Sequence, residues 1–177
     1  MKIAVCPGSF DPITVGHLDL VERAAVIFDE VVLCVMVNAE KRPMFSLEER
    51  LELARAAVAH LPNARAEACG GLLAAFARDR GACALVKGVR GGADFDWETQ
   101  MAQINRDLCP TLDTILLPAR PEHTHISSTM VREMIRYHQA LDRYIPSGAM
   151  GALLRIRQGK VEERYGKRCF LFDRSAL

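Results

Sequence analysis

Residues 7–17 read Pro7-Gly8-Ser9-Phe10-Asp11-Pro12-Ile13-Thr14-Val15-Gly16-His17. A short apolar-leaning run, Lys2 to Cys6, precedes this stretch, and helical periodicity follows it. Strand, turn-rich loop and helix start, in that order, open a βαβ unit. Two prolines and two glycines shape the loop, and glycine lets a ligand come close to the backbone. The helix start beyond it offers unpaired N–H groups and the positive end of a dipole, a natural seat for phosphate. His17 stands there with a ring nitrogen able to donate to an anion. Read alone, the stretch is equally well a plain strand-to-helix connection with a surface histidine.

Working outward, the first helix is expected from Gly16 to about Phe28, with Leu18, Val21, Ala25 and Phe28 on one face. Glu30 to Val37 is valine-rich and almost continuously apolar, the pattern of a strand covered on both faces in a parallel sheet. After a polar loop ending in Lys41-Arg42-Pro43, Ser46 and Glu49 form a capping box that opens a second helix. Leu47, Leu51, Ala54, Val58 and Leu61 continue that helix, and Pro62-Asn63 ends it. Ala64 to Ala68 reads as a third strand, and Leu72, Leu73, Phe76 and Ala77 mark a third helix.

Ala82 to Val86 is a fourth buried-type strand, opening into a loop that starts at Lys87-Gly88-Val89-Arg90. Asp94 is expected to cap the next helix, whose apolar stripe is Trp97, Met101, Ile104 and Leu108. Leu112 to Leu117 is a fifth strand. A helix begins at Ile126-Ser127-Ser128-Thr129, and another spans Ser147 to Gln158. Strand and helix thus alternate five times, which predicts a doubly wound five-stranded parallel sheet with helices on both faces. Residues 1–157 form that domain, and 158–177 are a tail to which the sequence assigns no role.

Half of the 177 residues are hydrophobic, a quarter are charged, and the formal charge is +1. That composition suits one soluble domain and gives no chain-wide reason to expect nucleic acid or membrane as a partner. Ile3 to Cys6 is too short for a signal-peptide core, and Val31 to Val37 is too short to span a bilayer. The six cysteines form no C-x-x-C pair, as expected of small core residues in a reduced, cytoplasmic protein.

Loops that leave the carboxyl ends of parallel strands share one edge, where such sheets bind ligands. Collected there are Ser9, Asp11, Thr14 and His17; then Lys41 and Arg42; then Lys87 and Arg90 among glycines; then His123, His125, Ser127, Ser128 and Thr129. Cations, glycine loops and a hydroxyl-rich helix start are equipment for a polyphosphate. A solvated turn accounts for Lys41-Arg42, and an ordinary N-cap for Ser127, when each is taken separately. There is no Walker-type phosphate loop, no dinucleotide fingerprint and no nucleophile elbow. Alternate histidines at 123 and 125 with no third ligand do not make a metal site.

Thr14-Val15-Gly16-His17 resembles the [HT]-x-G-H motif of the nucleotidyltransferase superfamily, and Ile126-Ser127-Ser128-Thr129-Met130-Val131-Arg132 resembles its I-S-S-T-x-x-R signature. Within that superfamily residues 2–155 resemble the bacterial phosphopantetheine adenylyltransferases. That closer likeness is carried by residues 7–12, by Lys41 to Arg50, and by Lys87 to Arg90 with Ala93-Asp94-Phe95. The resemblance implies a Rossmann-like fold and in-line adenylyl transfer from ATP to 4′-phosphopantetheine. The products would be dephospho-coenzyme A and pyrophosphate, with Mg²⁺ as cofactor. It also implies a homohexamer and feedback inhibition by coenzyme A.

By the same resemblance, His17 donates to the α-phosphate, Ser9 and the Phe10 amide hold reacting phosphates, and Lys41 bridges the acceptor phosphate and the transition state. Leu73, Lys87 and Asn105 serve phosphopantetheine. Gly88, Val89, Arg90, Glu98 and the run His123, Thr124, His125, Ile126, Ser127, Ser128, Thr129 serve ATP. Lys87 stands where the family usually has arginine, which keeps the charge and loses the bidentate fork. Ser9 replaces a frequent threonine, Thr129 a frequent serine, and Gly71 an acidic residue of the pantetheine region. Two other readings are a related transferase with a different acceptor and a non-catalytic nucleotide sensor. The Lys87 to Phe95 block argues against the first, and the joint presence of His17 and Lys41 against the second.

Overall fold

Side-chain alternation decides the architecture. Ala4, Cys6, Val31, Leu33 and Val35 point to one apolar cluster, while Val5, Val32, Cys34 and Leu85 point to another. Strands buried on both faces need a layer of helices on each side. The structure, a computed structural model, describes residues 1–37 and 42–165, the last five by backbone alone. In chain order the elements are β1 (Ile3–Gly8), α1 (Val15–Ile27), β2 (Glu30–Met36), α2 (Leu47–Val58), β3 (Ala64–Cys69) and α3 (Leu73–Asp79). There follow β4 (Ala84–Val89), α4 (Gly92–Leu108), β5 (Asp113–Pro118), a 3₁₀ turn at Pro121–His123, α5 (Ser128–Arg136) and α6 (Ser147–Tyr165). Five parallel strands lie in the order β3-β2-β1-β4-β5, the doubly wound arrangement expected from the sequence.

The order reverses between β1 and β4, and there the sheet parts. These two strands pair only at Ala4 with Ala84 and Val5 with Leu85. β1 stays with β2 as far as Gly8 and Val35, and β4 stays with β5 as far as Val89 and Pro118. The carboxyl ends of β1 and β4 therefore diverge and leave a gap at the switch point, where such folds take ligands.

The first face is thick. Val21 and Ala24 of α1, Leu53 and Ala54 of α2, Val131 of α5 and Leu153 of α6 are all buried over it. The second face is thin, with Ala74, Phe76 and Ala77 of α3 as its main helical contribution. Four of the five described cysteines, Cys6, Cys34, Cys69 and Cys109, are buried free thiols, and Cys83 is exposed; Cys169 lies outside the described residues. Among the described residues no helix is long and apolar enough to cross a membrane.

Four local expectations are corrected. β4 does not end at Val86: Lys87, Gly88 and Val89 pair with Leu116, Leu117 and Pro118, because the partner strand continues and overrides a loop-like composition. Asp94 is not the cap of α4, whose N-cap is Gly91; its carboxylate instead accepts from the Arg90 N–H at 3.2 Å. The stripe on α4 faces solvent, with Trp97 62%, Ile104 49% and Leu108 50% exposed. Asp94, Glu98 and Asn105 face inward in its place, since the two acids pair with cations at the gap. The last helix also runs on past Gln158 to Tyr165.

Candidate active site

The first wall of the gap is built on β1 and α1. A Cβ on Gly8 would sit 2.8 Å from Cζ of Phe10, so only glycine leaves room for that ring. Phe10 takes a left-handed backbone, φ 45°, and its ring meets the His17 imidazole edge-on at 5.1 Å between centroids. The peptide between Asp11 and Pro12 is cis.

Thr14 caps α1 by accepting from the His17 N–H, and the Thr14 N–H donates to His17 Nδ1 at 3.1 Å. This is a capping box with histidine in the third helical position, where Glu or Gln is usual. A backbone N–H can only donate, so Nδ1 is an acceptor and the ring proton sits on Nε2. Burial, helped by the positive charge of Arg90, pushes the His17 pKa down to about 4. His17 is therefore a neutral Nε2–H donor around pH 7.

Four buried or half-buried polar residues tie this wall to its neighbours. Both oxygens of Asp11, 4% exposed, accept backbone N–H groups at 2.9 Å, from Met44 and Phe45. Arg132 of α5 donates to the Asp11 carbonyl at 2.7 Å, and Ser128 donates to the Pro12 carbonyl at 2.8 Å. Arg50, buried on α2, donates from Nη1 to the carbonyls of Ser9 at 2.6 Å and Met36 at 2.9 Å. The strand ends and helix starts thus hold one another.

The second wall is made differently. Lys87 Nζ lies 3.0 Å from Glu98 Oε1, and Arg90 Nε lies 3.0 Å from Asp94 Oδ2. Partial burial opposes ionisation of Asp94, but the hydrogen bonds and charge of Arg90 prevail and hold its carboxyl below the usual range. At the start of α5, Ser127 Oγ accepts from the Met130 N–H at 3.1 Å, and Thr129 Oγ1 accepts from Arg132. Nδ1 of His123 is buried and has no partner among the described residues.

Between the walls lies a cleft of about 640 Å³. Six cationic side chains line it (Arg42, Arg50, Lys87, Arg90, Arg132 and Arg136) against three carboxylates, Asp11, Asp94 and Glu98. A chain of formal charge +1 has concentrated its positive charge here, as an anion site requires. Among the described residues no group of three or more His, Cys, Asp or Glu side chains is placed to hold a metal ion.

Of the residues expected from the sequence, Ser9, Phe10, His17, Lys87, Gly88, Arg90, Glu98, His123, Ile126, Ser127, Ser128 and Thr129 line this one cleft. Val89 ends β4 beside it without lining it. Thr124 and His125 are exposed on the loop before α5 and do not line it either. Leu73 opens α3 and packs on the second-face cluster, and the Asn105 side chain donates to the Met101 carbonyl of its own helix. Lys41 lies outside the described residues.

In the sequence, Arg50 and Arg132 stand only inside family motifs with no role given to them, and Arg136 has no role either. Two signals were present. Arg132 and Arg136 are spaced by four on the helix that begins Ser127-Ser128-Thr129, and Arg50 falls on the apolar face of its own helix between Leu47 and Ala54.

Comparison with known proteins agrees with this geometry. The cytidylyltransferase-like family model matches residues 5–134. A phosphopantetheine adenylyltransferase of Shouchella clausii is 42% identical over 156 residues, covering 88% of this chain and 98% of the relative. That of Symbiobacterium thermophilum is 48% identical over 143 residues, covering 81% and 88%. A Vibrio parahaemolyticus crystal structure, provisionally assigned as a nicotinate-nucleotide adenylyltransferase, superposes with a TM-score of 0.64. At 18% identity, over 88% of this chain and 93% of that one, it speaks to the fold alone. By sequence, fold and cleft together, the chain belongs to the cytidylyltransferase-like family and, within it, to the phosphopantetheine adenylyltransferases.

Proposed function

We infer that the chain is a nucleotidyltransferase of coenzyme A biosynthesis, moving the adenylyl group of ATP onto 4′-phosphopantetheine. The observation that carries this reading is a neutral Nε2–H donor, His17, in a cationic cleft of a chain 42–48% identical to such transferases. A phosphate oxygen of phosphopantetheine attacks the α-phosphorus in line. The new O–P bond forms as the bond to the β-phosphate oxygen breaks, and pyrophosphate leaves with the electron pair. The nucleophile is already an anion, so no protein base and no covalent intermediate are needed. Catalysis is positioning and charge stabilisation.

In this reading His17 donates to a non-bridging α-phosphate oxygen, without giving up its proton. Ser9 and the Phe10 N–H hold the reacting phosphates, with Lys41 bridging to the acceptor phosphate. Arg90, Gly88, Val89, Glu98 and residues 123–129 take ATP, while Lys87, Leu73 and Asn105 take the acceptor. Mg²⁺ would come with the triphosphate, the usual arrangement when a protein supplies few free carboxylates, and would neutralise phosphate charge. The solvent-facing apolar stripe of α4 supports burial against further copies of the chain, which we assign to a homohexamer in the cytoplasm inhibited by coenzyme A. Pyrophosphate release should require ATP and 4′-phosphopantetheine together. Release that is independent of the acceptor, or supported equally by nicotinate mononucleotide, would overturn the reading.

A further inference from the structure

We propose that Lys160, on the last turns of α6, is a positioning residue for adenylyl transfer. It acts by pinning the turn that follows Arg42 and Pro43, which line the cleft. Lys160 Nζ donates to the Met44 carbonyl at 3.0 Å and to Glu49 Oε2 at 2.7 Å, and stands 4.7 Å from the centre of the buried Phe45 ring. Glu49 Oε2 also accepts the Ser46 N–H at 2.7 Å, so one ammonium reaches the carbonyl, the ring and the capping carboxylate of a single turn.

That turn is held from its other side by Asp11, which accepts the Met44 and Phe45 N–H groups. Residues 44 and 45 are therefore clamped between the β1 loop and the carboxyl-terminal helix. Arg42 and Pro43, immediately before them, line the cleft. Asp11 alone fixes one edge of the Met44–Phe45 backbone; with Lys160 on the opposite edge the turn loses its freedom to rotate about that line. A loop that brings Arg42 to the cleft needs such support, because a misplacement of about 1 Å can cost up to a hundredfold in rate.

A second ion pair on the same helix separates this role from plain docking. Arg155 Nη2 meets Glu52 Oε1 at 3.0 Å, joining α6 to α2 away from the turn. The proposal rests on the adenylyltransferase reading, so its test has one arm that needs no turnover. In the full-length chain, Lys160→Met should speed amide hydrogen exchange at residues 44–46 about tenfold, with Arg155→Met unchanged there. In the pyrophosphate assay Lys160→Met should lower kcat about five- to tenfold with the KM for ATP within twofold, and Lys160→Arg should recover at least half of the loss. Exchange at 44–46 unchanged by Lys160→Met, or sped equally by Arg155→Met, overturns the proposal. So does an unaltered kcat in a wild-type background that turns over. A wild type with no acceptor-dependent turnover sinks the adenylyltransferase reading, and the exchange arm still decides the clamp.

Discussion

The two walls of the cleft carry similar charges and are built on opposite principles. On the β1–α1 wall the polar groups bond to backbone: Asp11 to Met44 and Phe45, Thr14 and His17 to each other, and Arg50 to Ser9 and Met36. On the β4–α4 wall the cations bond to carboxylate side chains, Lys87 to Glu98 and Arg90 to Asp94, in partly exposed pairs. Backbone bonds in a buried loop are made once, on folding, and leave a group in one place. Exposed ion pairs are each worth about 1 kcal/mol or less, so a phosphate can displace the carboxylate at small cost. In the proposed reaction, one wall is preorganised for the reacting centre and the other holds cations that a ligand would recruit.

The sharpest way to break this contrast is Asp11→Ala. It strips two N–H groups of their acceptor, one of them on buried Phe45, and should cost about 4 kcal/mol of stability in chemical denaturation. A loss under about 1 kcal/mol would mean that the first wall is no more fixed than the second. His17→Ala should lower kcat by about two to three orders of magnitude, the usual worth of one transition-state donor, with little change in KM. Normal turnover in that variant would remove His17 from the chemistry.

Gly8→Ala drives a methyl into the Phe10 ring that abuts His17 and should cost about 1–3 kcal/mol, with kcat falling too. Glu98→Gln, on the other wall, should leave stability within about 0.5 kcal/mol and tighten inorganic pyrophosphate binding about threefold by calorimetry, because it frees Lys87. Weaker binding would show that Glu98 orients Lys87 and does not mask it.

The smallest effect is a pH signature. The folded pKa of His17, about 4, lies below its ordinary 6.5, so between those values the unfolded chain binds the proton and the folded chain does not. The stabilising contribution of neutral His17 is complete above about pH 6.5 and is lost as the pH falls toward 4. Its ring resonances should show no inflection near 6.5 in an NMR titration of the ligand-free protein. A midpoint there would mean that the imidazole is not held in its neutral form.

Much of this was readable in the chain. The alternation of valine-rich runs with periodic helices led to a parallel doubly wound sheet, because two-sided burial and 3.6-residue periodicity are local signals. The loops at the strand ends yielded eleven of the cleft residues for the same reason, and the family motifs added Phe10, Gly88, Glu98 and Ile126. What escaped depends on neighbours distant in sequence. Lys87 to Val89 are strand because β5 is there to pair with them. The apolar stripe of α4 faces outward because Asp94 and Glu98 are drawn to cations at the gap, a preference no helical wheel contains. Arg50 had no role in the sequence beyond a family block, because the carbonyls of Ser9 and Met36 that converge on it come from elsewhere in the chain.

The sequence by itself settled the class of sheet, the edge at which the cleft opens and, through its motifs, the family. These follow from residue order, since periodicity, capping and turn chemistry act within a few residues. Only the tertiary structure decided that β1 and β4 part after Val5 and Leu85, that Thr14 fixes the tautomer of His17, and that Lys160 reaches back to Met44. Those are relations of distance and direction, and they exist only once the chain has closed on itself.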